Sequence, residues 1–471
     1  MILSFFIFLA GFLCIGLLSI RKKQNTADDY LLAGRNVSPA FVGLSGAAST
    51  ASGFGFTGII GYGYMMGLSG GWFIFGILFG SLFAFGAISR RLRTYSHRTK
   101  SVSYTEFLTS DLGKSRPYFL GLLGMISIVA LLLYASAQLT AGSKAMHVLL
   151  GWDYSYGIVI GAMIVLLYCF AGGIRASIWT DAAQIIVMYG AMTILAIVSL
   201  QQIGGFSGLF EKLEAIDPKL VEIFPLDNPY GPLLFILGWL SLGFSFIGFP
   251  HTMARFMALK SPKDTKRAIL WFEGSYALFY ITAYVVALCT RVLIPESADF
   301  DKELALPQLA QQMLPEILVG VIFAGIFAAT ISTADSLILS CTASLSRDLK
   351  VFDRHKNSYR FLKLCTLIVT AIASVIAIYA SKSVFDMVLL AITVMACGFT
   401  PLLILRCFKV QTHPIVLLIT IVTGLSVGIG WRITGQNAFV YEAFPGIIAA
   451  FIVFFIGYFI QKLLHTKSSS T

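Results

Sequence analysis

Ser45-Gly-Ala-Ala-Ser-Thr-Ala-Ser-Gly-Phe-Gly-Phe-Thr-Gly58 lies inside a long apolar segment, yet it holds four glycines and five hydroxyl side chains. Glycine costs a helix interior about 1 kcal/mol per residue relative to alanine. In lipid, each backbone group freed by a break costs several kcal/mol unless protein or a ligand satisfies it. The stretch is therefore either a small-residue helix packed closely on a neighbour, or a discontinuous helix whose exposed carbonyls hold a cation. The rest of the chain separates the two.

The chain has 471 residues, of which 57% are hydrophobic and 12% charged, against an ordinary charged share of about 25%. That composition describes an integral membrane protein. Hydropathy and helix breakers give thirteen apolar segments, the first at 2–20 and the last at 440–462,. With the N-terminus outside and the C-terminus inside, the inner loops collect 27 of the 34 lysines and arginines. The strongest inner clusters are residues 90–100 and 347–363, whereas loops 203–229 and 295–308 are acidic. The net charge of +11 thus reflects orientation and anionic-lipid contact, not nucleic-acid binding. The seven cysteines lie in or beside apolar segments with no CxxC pair, so neither a disulfide framework nor a zinc site is expected. No P-loop or dinucleotide-binding glycine pattern occurs, which leaves an ion gradient as the energy source for any uphill transport. No cleavable leader and no obligate protein partner are evident.

A second broken segment, 230–256, carries Gly238, Gly243, Gly248 and Pro250. The segment 309–346 carries a polar stripe in which Ala329, Ser332, Thr333 and Ser336 recur at i, i+3, i+4 and i+7 and so share one helix face,. Such hydroxyls often bond back to the carbonyl four residues earlier. Asp335 has no such outlet, and an intramembrane acid must face protein or water. Asp181 is a second intramembrane acid, with Arg175 a nearby partner in sequence; Glu273 is placed to snorkel, and His147 and His251 read as interfacial.

Taken in order, several motifs resemble the sodium/solute symporter family, and within it the sodium/proline branch. They are Tyr30-Leu-Leu-Ala-Gly-Arg35, the Ala-x-x-x-Ser-Gly of 48–53, Gly172-Gly173 followed by Trp179-Thr180-Asp181, Gly248-Phe-Pro-His-Thr-Met-Ala-Arg-Phe-Met257, Ile331-Ser332-Thr333 and Arg347-Asp348-Leu349. The resemblance implies an all-α membrane protein of LeuT-type fold. One extra helix (1–25) would precede two inverted five-helix repeats (38–202 and 230–406), followed by C-terminal helices (410–464). It implies a sodium ion held by the carbonyls of Ala48, Ala51 and Ala329 with the hydroxyls of Ser332 and Thr333. A second cation site would join Asp181 to Ser332, Asp335 and Ser336. The extra acid at 335 leaves sodium and a proton both open there.

The resemblance also places the solute at Thr50, Phe54, Tyr134, Gln138, Trp239, Leu242 and Phe246. Four of these depart from the proline branch: Phe54 and Leu242 stand in for tryptophans, Phe246 for a tyrosine and Thr50 for an aspartate. The expected function is sodium-coupled uptake of a small organic solute, such as proline or a similar zwitterion or carboxylate, across the inner (plasma) membrane, with no enzymatic step. Proton coupling on the same fold and a transporter-like nutrient sensor are the alternatives.

Overall fold

An apolar chain in lipid must satisfy its amides and carbonyls internally, and helices do so within one segment. The computed structural model describes every residue except 23, 25, 226, 295–300, 353, 356–357, 380–382 and 469–471. Part of the acidic loop 295–308, together with Lys23, Lys382 and the end of the C-terminal tail, lies outside the described residues. The helices are α1 Ile2–Leu18, α2 Ala27–Leu32, α3 Pro39–Ala51, α4 Gly58–Met66, α5 Gly71–Arg98, α6 Tyr104–Leu108, α7 Arg116–Leu150, α8 Tyr154–Gly172, α9 Ile174–Ile203 and α10 Gly205–Ile216. They continue as α11 Gly231–Phe244, α12 Pro250–Ala258, α13 Thr265–Leu293, α14 Ala305–Met313, α15 Glu316–Arg347, α16 Tyr359–Tyr379, α17 Val384–Cys407, α18 Pro414–Ile433 and α19 Ala443–Ser468. The only β pairing among the described residues is a single bridge, Val37 with Leu259.

Among the described residues, ten helical stretches are long and apolar enough to cross a membrane, and Ile2–Leu18 and Tyr154–Phe170 are shorter apolar helices. The count of thirteen expected from sequence is larger because it takes these two as spans and separates 38–66 from 71–92, whereas α4 and α5 run together here in the stretch Gly53–Arg98. The segment expected at 309–346 divides: Leu314-Pro315 separates α14 from α15, since proline bars the preceding residue from helix,.

Burial shows which helices line the interior. Of their most apolar windows, α15 and α17 bury 83%, whereas α18 and α19 bury 28%. The helix α15 packs on α7, α9, α1, α16 and α3, and α13 packs on α3, α9 and α4. Close approach of α5 and α11 depends on paired glycines. A Cβ on Gly76 would lie 2.4 Å from the Trp239 carbonyl carbon, and one on Gly243 would lie 2.4 Å from the Gly76 oxygen. Small residues let the two backbones touch, and that contact sets the position of Trp239.

At the end that carries the basic cluster, the short helix α6 docks on the C-terminus of α15. Ser103 and Glu106 form a capping box, which satisfies orphan amides reciprocally. Ser103 Oγ donates to Asp348 Oδ1 at 2.7 Å and Thr105 Oγ1 donates to Oδ2. Arg347 lies 3.6 Å from Glu106. Burial pushes the Asp348 carboxyl up to about 7, against the opposing effect of the two hydroxyl bonds. An acid raised in the folded state supports that state below its unfolded pKa of 3.8 and loses this support as pH rises through about 7,. Hydrogen exchange of the amides of residues 103–109, corrected for intrinsic rates, should therefore accelerate between pH 6 and 8.5. In Asp348→Asn the corrected rates should be flat over the same range, and a wild-type profile equally flat would refute a stabilising role for the Asp348 contacts with α6.

Candidate cation and solute site

The break expected between 45 and 58 is present, and its cause is local. The helix α3 ends where Ser52 takes φ 56° and ψ 172°, a conformation essentially restricted to glycine that costs a non-glycine residue about 1–3 kcal/mol. The surroundings hold it there. Ser52 Oγ accepts from the Phe54 amide at 3.1 Å, and Gln138 Oε1 accepts from the Gly53 amide at 2.8 Å. The Gly53 carbonyl accepts from the Phe56 and Thr57 amides, both at 3.0 Å, and from Thr57 Oγ1. Tyr280 from α13 donates to the Ala51 carbonyl at 3.0 Å. The Gly53 and Phe54 amides and the Ala51 and Gly53 carbonyls are thus each met by a named partner.

The five residues expected to hold sodium divide. Ser332 Oγ is 3.3 Å from the Ala48 carbonyl and 3.0 Å from the Ala329 carbonyl, and Thr333 Oγ1 is 3.0 Å from Ala329 O. Two carbonyls and two hydroxyls, all buried, therefore converge where α15 crosses the end of α3. All are hard oxygen donors, and the hydroxyls can rotate to present lone pairs to a cation. The Ala51 carbonyl is engaged by Tyr280, on the α13 side.

The second constellation differs from expectation in one residue. Asp181, Asp335 and Ser336 do meet, but around the guanidinium of Arg255, which lies on α12 and is 1% exposed. Arg255 Nη2 is 2.9 Å from Asp181 Oδ2 and 3.1 Å from Ser177 Oγ, and it also donates to Ser336 Oγ. Its Nε donates to Ser45 Oγ at 2.7 Å and its Nη1 to the His251 carbonyl at 2.8 Å. Ser45 Oγ in turn donates to Asp181 Oδ2 at 2.6 Å, and Ser177 Oγ to Asp335 Oδ1 at 2.9 Å. Ser332 takes part through its carbonyl, which accepts from Ser336. Arg175, the partner in sequence, pairs instead with Asp29. The missed signal was available: an arginine inside a segment expected to span demands an acid.

Two further expectations change. His251 is fully buried, with its ring 5.5 Å from Phe249 and 6.0 Å from Tyr134, because the break before Pro250 starts a helix inside the bundle rather than at an interface. Glu273 does not snorkel: its Oε1 accepts from Ser81 at 2.9 Å. His147 is partly buried and its Nδ1 lies 2.6 Å from the Trp152 carbonyl.

The residues expected to contact solute form two groups. Tyr134 and Gln138, one helical turn apart on α7, face the break of α3. Thr50 bonds back to the Gly46 carbonyl and lies 3.2 Å from Thr252 on α12. Phe246 packs edge-on to Tyr276 at 5.9 Å, and Leu242 is buried one turn earlier. The second group is aromatic. Phe54 stacks on Phe385 at 5.3 Å, Phe385 on Tyr62 at 5.9 Å, and Trp239 on Tyr441 at 5.5 Å, with Phe73 against Trp239 at 4.8 Å. This layer covers the break on the side of loop 203–229. Glu303 fixes its far edge, accepting from the amides of Val384 and Phe385 at the start of α17 and from Lys144 at 2.7 Å. Sequence reasoning gave neither Lys144 nor Glu303, which lies in the acidic loop 295–308, a role in the site.

A model of the sodium:solute symporter family matches residues 30–413. The high-affinity proline transporter PutP of Bacillus subtilis is 28% identical over 458 residues, which cover 95% of this chain and 96% of that protein. The osmoregulated proline transporter OpuE of the same organism is 26% identical, with 98% and 95% covered. A sodium/proline symporter of Staphylococcus aureus is 27% identical, with 94% and 90% covered. Among solved structures, a Na+-coupled sialic acid symporter in its substrate-bound outward-open state superposes with a TM-score of 0.80 at 22% identity, over 98% of this chain and 96% of that one. MhsT in complex with L-phenylalanine gives 0.55 at 16% identity, with 88% and 97% covered. These neighbours show that the fold is the expected all-α LeuT type. With most of its length inside the family model, the chain belongs to the sodium:solute symporter family and is a multi-pass membrane transporter, not an enzyme.

Proposed function

We propose that this symporter uses the sodium gradient across the plasma membrane to take up proline or a similarly small zwitterion or carboxylate. Family membership supports sodium coupling. The proline preference is supported by full-length similarity to proteins named as proline transporters. The four replacements at 50, 54, 242 and 246 widen the solute class beyond proline itself. In this reading residues 38–202 and 230–406 are the two inverted repeats, the N-terminus is outside, and anionic lipid contacts the basic end.

One observation supports the sodium assignment above the others: Ser332 Oγ bridges the Ala48 carbonyl, in the last turn before the break, to the Ala329 carbonyl, on which Thr333 Oγ1 also converges. A cation seated there would tie α3 to α15. The half-broken helix presents its carbonyls only in one arrangement relative to α15, so sodium binds that arrangement better and shifts the population toward it. The Ala51 carbonyl joins the cage if Tyr280 releases it. Solute then settles against Phe54 and Tyr134, near Gln138, with Thr50, Trp239, Leu242 and Phe246 around it, and the aromatic layer closes above. Alternating access moves both ligands inward.

Removing both hydroxyls in Ser332→Ala/Thr333→Ala should raise the sodium concentration needed for half-maximal proline counterflow at least tenfold, or about 1.4 kcal/mol. Unchanged sodium dependence in that double variant refutes the cage. Tyr134→Ala should weaken proline binding tenfold or more while sodium binding in the absence of solute persists. If both fall together, Tyr134 supports the scaffold and does not recognise solute.

A further inference from the structure

Asp181 and Asp335 face each other across a gap lined by Ser45, Ser177 and Ser336, and these five side chains supply enough oxygen atoms to coordinate a metal cation. Arg255 stands in that gap. Its side chain reaches from α12 to α3, α9 and α15, and all three of its nitrogens donate to oxygens there or to the His251 carbonyl. The guanidinium is planar, carries a fixed positive charge and matches a fork of oxygens better than a sphere does. It occupies Asp181 Oδ2, Ser177 Oγ and Ser336 Oγ, the atoms a metal ion would need. The remaining oxygens, Asp181 Oδ1 and Asp335 Oδ2, are buried without a partner among the described residues, so the cage would accept a cation if the arginine were absent.

We propose that the Arg255 guanidinium is the permanent cation of this second constellation and that the chain therefore takes a single sodium ion per transport cycle. The inference rests on the sodium reading of Ala48, Ala329, Ser332 and Thr333 given above. Arg255 acts as a specificity-determining residue: it is a tethered substitute for a second ion, and it joins the half-helices α12 and α3 to α9 and α15 without one.

Equilibrium binding of radioactive sodium to the purified full-length chain in lipid nanodiscs, with saturating proline, gives the count directly. Wild type should bind one sodium per chain. Arg255→Gln should bind two, and Arg255→Gln/Asp335→Asn should return to one. Arg255→Lys, which keeps the charge, should stay at one. A wild-type or Arg255→Lys count of two overturns the proposal, as does an Arg255→Gln count that remains at one. If Arg255→Gln does not fold, the wild-type and Arg255→Lys counts still decide it. A wild-type count of zero that rises to one in Arg255→Gln keeps the role of Arg255 and instead removes the sodium site at Ala48.

Discussion

The constraint on which the structure depends is the need to satisfy every backbone group that the break in α3 releases. Lipid offers no hydrogen-bond partners at that depth, so protein or a bound ligand must supply them. They arrive from four directions: Gln138 from α7, Tyr280 from α13, Ser332 from α15, and the hydroxyls of Ser52 and Thr57 within the break itself. These are also the helices that surround the expected solute position. The energetic solution to the break and the construction of the site are thus the same set of contacts. Ser332 shows this most clearly, since the hydroxyl that bonds the Ala48 carbonyl at the end of α3 is also a hard donor for a cation,.

Buried charge is a second constraint, and it organises the two ends differently. Truncating one partner of a buried ion pair leaves the other uncompensated, which typically costs about 3–5 kcal/mol. On one side Arg255 and Asp181 bind α12 to α9, with Ser45 adding α3 and Ser336 adding α15. On the other, Lys144 and Glu303 bind α7 to the segment before α14, and Glu303 caps α17 through two amides. Phe385 follows directly from that cap and stacks on Phe54 at the break. Each charge cluster therefore fastens one edge of the region where α3 is unwound. A transport cycle that opens first one side and then the other has a polar network to undo on each.

Much of this was readable in the residues. Glycines and hydroxyls within an apolar run narrow Ser45–Gly58 to a break or a close small-residue contact, and the polar stripe on 309–346 favours the break,. The spacing of Ala329, Ser332, Thr333 and Ser336 puts them on one helix face, and the structure places that face against α3. What could not be read depends on contacts distant in sequence or on local dihedral angles. Arg255 finds Asp181 across 74 residues, and Lys144 finds Glu303 across 159. Periodicity within one helix carries no information about either pairing. The direction of the Ala51 carbonyl follows from the positive φ of Ser52, which a propensity reading does not supply for serine. His251 was misplaced because its position near the end of the segment 230–256 was read as an interface, although a break there was expected. The helix instead restarts at Pro250, within the bundle.

The central claim is that a sodium gradient drives solute uptake through the site at the break. Purified protein in proteoliposomes, loaded with potassium and diluted into sodium medium, tests it most directly when internal and external proline are followed over time at fixed pH. The account predicts transient accumulation of proline, or of the small zwitterion or carboxylate that competes with it, above its outside concentration, lost when sodium is replaced by potassium and reversed when the sodium gradient is inverted. Accumulation of the same size with no sodium on either side, driven by a proton gradient alone, would contradict it.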